Sequence, residues 1–341
     1  PIAADWPRPR LRSDVEEGLT PGRPLGERRL FGAAPLDVTD EETGDHKVVD
    51  WALGELARPA DQPLFLAVGL FRPHIPWEVP PKWFELHPLK DVKLPEHRPD
   101  DLGDARDHGR RDWHRWVVAN GLWARFVQGY LASMSYVDHQ IGRLLDGLDA
   151  SPRRDNTIIV LWSDHGFHLG DHGIWCKHTN FEQAARIPFL ISAPGMKPGQ
   201  RTEAFAETVD LYPTLCELAG VPLPIKPDGL SLVQVLRDPQ STTKDHAFHV
   251  YPRHPLLGRS IRTDRYRLVE WKAPGAAPDT AVLELYDYQK DPLEKKNIAA
   301  EDVTTVASLR KILNQYPEAQ PQVAPSDKGG PKGKRGKKNE K

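Results

Sequence analysis

The stretch Asn156 to Lys177, NTIIVLWSDHGFHLGDHGIWCK, constrains this chain more than any other. Thr157 to Trp162 is an apolar, partly β-branched run without polar alternation, the pattern of a strand buried on both faces of a parallel sheet. It stops at Ser163-Asp164-His165-Gly166, a hard-anion ligand beside an imidazole, with a glycine to let the chain turn. In open α/β sheets ligands gather at the carboxyl ends of the strands, so Asp164 and His165 stand where chemistry is expected. Eleven residues after Gly166, Lys177 can return a cation to the same end. Carboxylate, imidazole and ammonium together suit a metal-assisted site for an anionic ester.

A second apolar run, Pro63 to Leu70 (PLFLAVGL), reads as another buried strand and leads into Arg72-Pro73-His74-Ile75-Pro76-Trp77. The two prolines frame His74 and fix the backbone on either side of one imidazole. Residues 79 to 120 form a polar excursion too long for a plain connection, expected as a lid or substrate-facing insertion. Apolar residues at spacings of three and four predict helices over Asp45 to Ala57 and Trp123 to Leu148. Ile187 to Ser192 reads as a further buried strand. Asp210 is placed to cap a helix over Leu211 to Ala219, with Gly220 just past its end.

From about residue 241 the pattern changes to alternating strands, Ser260 to Glu270 and Ala281 to Tyr288, followed by a helix near Asp302 to Gln315. The expected division is an α/β unit over 1–240, a smaller α+β unit over 241–316 and a disordered basic tail over 317–341. Residues 1 to about 43 read as extended loop.

The formal charge is −2, but the last fifteen residues hold seven Lys/Arg against two acids, so the body is more acidic than that figure. A mildly acidic body speaks against a general nucleic-acid partner. Cys176 and Cys216 make neither a disulfide framework nor a metal knuckle. No run of 18 apolar residues spans a membrane. The chain opens at Pro1 without a signal peptide and is expected to be trimmed or a fragment. His165, His168 and His172 could form a zinc cluster; a structural role for the last two is the plainer reading. Cys176 reads as a packing residue, and the lysine tail as a solvated end rather than a polyanion-binding arm.

Five blocks together resemble the sulfatase family of the alkaline-phosphatase superfamily, nearest to its iduronate-2-sulfatase-like bacterial members. They are LFLAVGLFRPHIPW (64–77), YLASMSYVDHQIGRLL (130–145), IIVLWSDHGFHLGDHGIWCKHTNFE (158–182), VDLYPTLCELAG (209–220), and SIRTDRYR with ELYDYQKDPLEKKN near the end. The resemblance implies a parallel-sheet α/β core and hydrolysis of sulfate monoesters on sugars or polysaccharides. It implies Asp164 and His165 as two ligands of a single Ca2+, Lys177 on a sulfate oxygen, and His74 on the ester oxygen of the leaving group. It also implies a secreted or periplasmic parent.

Two elements of the family pattern are missing. The family's nucleophile is a formylglycine made from Cys or Ser in C/S-x-P/A-x-R, and neither cysteine nor any serine here begins that motif. Asp100-Asp101, preceded by PEHRP rather than an apolar strand, does not match the family's second pair of calcium carboxylates. The expected molecule is therefore an N-terminally incomplete core with half a metal shell, which does not turn over. Two alternatives are a phosphatase or phosphodiesterase of the same superfamily, with a second metal and a Thr/Ser nucleophile, and a non-catalytic anion-binding remnant.

Overall fold

The computed structural model describes residues 31–59, 62–97 and 111–318. The N-terminal stretch before residue 31, Asp100-Asp101 with the middle of the 79–120 excursion, and the basic tail from 319 lie outside the described residues.

The first half runs β1 (Ala33–Pro35), α1 (Gly44–Leu56), β2 (Trp77–Val79), α2 (Pro81–Glu85), α3 (Arg111–Ala119) and α4 (Trp123–Asp149). There follow β3 (Ile159–Trp162), β4 (His168–Leu169), β5 (Trp175–Cys176), α5 (Glu182–Ala185), β6 (Phe189–Ser192), α6 (Leu211–Ala219) and α7 (Val233–Arg237). The C-terminal part is β7 (His246–Arg253), β8 (Leu256–Thr263), β9 (Tyr266–Lys272), β10 (Val282–Asp287) and α8 (Val303–Leu313).

The long helix α4 forms where its periodicity predicts and buries Val127, Val137 and Leu148 of its apolar stripe, but its buried face also takes in small and polar residues beside that stripe. Phe126, Gly129, Ala132, Ser133, Tyr136 and Gln140 are buried, whereas Met134 and Leu145 are exposed. Small residues decide this. A Cβ on Gly129 would lie 2.5 Å from Ala33 Cβ and 3.1 Å from Trp77 Cβ, so only glycine lets β1 and β2 lie directly on the helix. Part of the predicted insertion is packed core too: Trp83 and Phe84 of α2 are buried against Ala132 and Tyr136.

β1 and β2 pair in parallel, Ala33 opposite Trp77. β3 instead pairs antiparallel with β6, Trp162 opposite Phe189. Leu161 and Trp162 are 37% and 48% exposed, so the expected burial of β3 on both faces is not observed. β6, also expected to be buried, alternates between half-buried and exposed residues. The run Pro63 to Leu70 forms no strand, and Phe65 is 85% exposed. A strand exists only through neighbours that take its backbone hydrogen bonds. Among the described residues β3 has one such neighbour and residues 63–70 have none.

The C-terminal sheet is antiparallel in the order β10-β9-β8-β7, with α8 laid across it. Ser260 to Glu270, expected as one strand, is a hairpin: Ile261 sits opposite Leu268, with Asp264 and Arg265 at the turn. Asp302 caps α8 by accepting the Thr305 amide at 3.0 Å. Asp210 does not cap α6 with its side chain. Its carboxylate accepts the amides of Glu207 (2.7 Å) and Leu230 (2.8 Å) and pairs with Lys244, tying three segments together. Gly220 ends α6 at φ +65, the left-handed residue expected there. No helix among the described residues is long and apolar enough to cross a membrane.

Candidate anion and metal site

Trp77 is fully buried at the centre of an aromatic cluster with Phe31, Phe126, Phe167 and Trp175. Three segments end on this cluster. Trp77 follows His74 by three residues, Phe167 follows His165 by two, and Trp175 precedes Lys177 by two. Edge-to-face and tilted ring contacts of 5.7–6.1 Å between Trp77 and these partners fix their mutual placement. Residues 103 positions apart in sequence are thereby brought to one end of the molecule.

His74 is half-buried, and its Nδ1–H donates to the Ile75 carbonyl at 2.6 Å, which leaves Nε2 as the reactive nitrogen. Burial holds its pKa below the ordinary histidine value, helped by the charges of Lys177, His165 and Arg72 and opposed by the Ile75 bond. Lys177 and His165 thus both lie close enough to His74 for their charges to act on it. The ammonium of Lys177 has no ion pair among the described residues.

Prolines alone do not hold the His74 loop. Arg72 donates to the carbonyls of His74 (3.0 Å), Pro76 (2.7 Å) and Glu78 (2.6 Å), while Asp45 of α1 accepts the amides of Phe71 and Arg72. Sequence reading passed over both. The only signal was an arginine directly before the Pro-His-Ile-Pro frame.

Asp164 and His165 lie at the end of β3. His165 Nδ1–H donates to the Gly166 carbonyl at 2.8 Å, which leaves Nε2 as the nitrogen facing Asp164 Oδ2, 3.3 Å away. An imidazole nitrogen and a carboxylate oxygen held that close can share a proton or a cation between them. They therefore fit part of a calcium shell. Calcium takes about six to eight oxygen-rich ligands. No group of three or more His, Cys, Asp or Glu gathers for a metal among the described residues, and Asp164 is 82% exposed. The described residues do not close the shell.

Gly166 owes its place to crowding rather than to turning: a Cβ there would lie 2.1 Å from the Gln183 carbonyl oxygen. His168 is fully buried, with Nδ1 on Asp171 and Nε2 2.8 Å from Thr179 Oγ1. His172 stacks on Phe181 with centroids 4.6 Å apart. Both histidines are structural, and Cys176 packs in the aromatic cluster.

A mixed helix and sheet core carrying such a constellation belongs to the alkaline-phosphatase-like hydrolases. The phosphonate monoester hydrolase of Silicibacter pomeroyi superposes with a TM-score of 0.72 at 26% identity, over 85% of this chain and 62% of that one. The family model described as Sulfatase matches residues 10–221, and that described as N-sulphoglucosamine sulphohydrolase, C-terminal, matches residues 170–319. The chain belongs to the sulfatase family. A sulfatase from Formosa agariphila is 35% identical over 79% of this chain and 52% of its own length. The iduronate 2-sulfatase of Mus musculus is 30% identical over 77% of this chain and 64% of its own. This chain spans about half to two thirds of the length of these curated relatives.

Proposed function

We propose that this chain is the anion-holding portion of a sulfuric ester hydrolase that removes sulfate from sugars, with a 2-sulfated uronic acid of a glycosaminoglycan as the finer substrate reading. The observation that carries it is the gathering of His74, His165 and Lys177 around the Trp77 cluster. Lys177 neutralises a nonbridging sulfate oxygen, where charge persists as the S–O bond breaks. His74 Nε2 faces the leaving oxygen and delivers a proton to it. A bound sulfate offsets the repulsion from Lys177, a lesser cause beside burial of the lowered His74 pKa, and so favours the protonated ring. Asp164 and His165 would hold one calcium ion, which supplies further stabilisation of charge on the sulfate oxygens.

The sequence holds no C/S-x-P/A-x-R, so no described or undescribed residue supplies the family's formylglycine, and the chain alone binds without turnover. The likeness to a phosphonate monoester hydrolase favours a second reading, phosphoryl rather than sulfuryl transfer in the parent protein. Calorimetric titration of the chain with inorganic sulfate and with inorganic phosphate, beside an aryl sulfate hydrolysis assay, tests all of this. Saturable sulfate binding, weakened in Lys177→Gln, with no hydrolysis is the expected result. Equal sulfate affinity in wild type and Lys177→Gln would overturn the site, and a marked preference for phosphate would favour the second reading.

A further inference from the structure

We propose that Arg267, a fully buried residue of the C-terminal sheet, is a positioning residue for Lys177. The inference rests on the sulfate-site reading above. Lys177 lies at the edge of β5, where Cys176 pairs with His168, and the residues that follow, Asn180 and Glu182, bond to Gly258 and Arg267 of the C-terminal sheet. The Thr179 amide donates to the Lys177 carbonyl at 2.9 Å, so the placement of residues 179–182 sets that of Lys177.

Arg267 grips this segment at two points. Its Nη1 donates to the Asn180 carbonyl at 2.7 Å, and its Nη2 pairs with the Glu182 carboxylate. Its Nε faces Glu294 Oε1 at 2.7 Å and the Tyr288 hydroxyl at 2.8 Å. Glu294 closes the ring, because its other oxygen accepts the Glu182 amide at 2.7 Å. A planar guanidinium can serve these acceptors in fixed directions, which an ammonium on a flexible stem does not.

One backbone observation and one general consideration separate positioning from plain packing. Glu294 is fully buried at φ +55, a backbone region that disfavours a non-glycine residue and persists where surrounding contacts over-determine it. A buried set of charges is often no more stabilising than apolar residues of the same shape, and in this proposal the ring serves to hold a single geometry. The ring couples two parts of the fold: Glu182 belongs to the site loop, Arg267 to β9 and Glu294 to the segment after β10. The second family model spans the same join, since it begins at residue 170, before Lys177, and runs through the C-terminal sheet.

The test is a double-variant cycle on the intact chain, read by calorimetric titration with inorganic sulfate at a temperature where near-UV circular dichroism shows every variant folded. Arg267→Gln is expected to weaken sulfate binding about tenfold in the wild-type background, yet less than about twofold in the Lys177→Gln background. Arg267→Lys, which keeps the charge and loses the fork, is expected to rescue binding only in part. Should Arg267→Gln fail to fold, Glu294→Gln cuts the same ring more gently and is judged by the same criteria. An unchanged affinity, or an equal loss in both backgrounds, overturns the positioning role and leaves the sulfate site standing. Absence of sulfate binding in the wild-type chain removes the functional reading and this inference together.

Discussion

The amide of Gly166 donates to the carbonyl of Ala184 at 2.8 Å, and this bond locks the segment after β3 onto the short helix α5 that leads to β6. The approach is so close that a methyl group on Gly166 would also meet the Arg186 carbonyl oxygen at 2.7 Å. Both obstacles are backbone atoms, which do not swing aside. Gly166→Ala is therefore expected to cost about 1–3 kcal/mol, the usual range for forced overpacking. Because Gly166 follows His165 directly, the same variant is expected to weaken sulfate binding. Urea denaturation and sulfate titration of one sample check both outcomes, and a variant as stable as wild type contradicts the crowding.

Arg72 offers a second test. Its guanidinium serves three carbonyls in the loop that carries His74. Arg72→Met keeps the apolar stem and strips those donors, leaving acceptors unpaired at roughly 1–3 kcal/mol each where water does not replace them. A loss of about 2 kcal/mol or more in urea denaturation is expected, together with weaker sulfate binding. Full stability in the variant would show that the prolines suffice to hold His74.

Acid should destabilise the fold through two histidines. Burial pushes the pKa of His114 down to about 4, with repulsion from His97 adding to it. Burial likewise takes His249 down to about 4, with Arg267 contributing. The unfolded chain binds protons at the ordinary histidine value, near 6.5 for both. Between pH 6.5 and 4 the unfolded state therefore carries more protons, so stability is greatest above that window and falls as pH drops through it. The Nδ1 of His114 is buried without a hydrogen bond among the described residues, and its ring packs against Trp123 at 4.7 Å. His114→Phe keeps the aromatic contact and removes one titration. A shallower decline of the urea midpoint across that window is expected for this variant; an unchanged slope contradicts the assignment.

The exposed apolar face tells stability from solubility. Phe65 is 85% exposed. Surface changes away from special features usually alter stability by less than about 0.5 kcal/mol, so Phe65→Ser is expected to leave the urea midpoint alone while lowering the binding of an apolar dye. A larger loss of stability would mean that Phe65 is covered in solution.

The residues proposed for the chemistry stood out in the sequence because each lay next to a local signal. His74 had its prolines, Asp164 and His165 ended an apolar run, and Lys177 closed a block of family-like spacing. The helices α1, α4, α6 and α8 were legible for the same reason, since a period near 3.6 is written in consecutive residues. The pairing of β3 was not. An apolar run states that a strand wants neighbours and does not say which neighbours it meets or in which direction.

By itself the sequence determined the family and the helices α1, α4, α6 and α8, and it supplied the side chains proposed to meet an anion. Only the tertiary structure decided that Trp77 gathers three distant segments, that Arg72 and Asp45 hold the His74 loop, and that Arg267 and Glu294 clasp the loop behind Lys177. The physical reason is common to all three. Ring contacts and buried hydrogen bonds join residues tens to more than a hundred positions apart, and their partners are selected by packing in space, which no local pattern records.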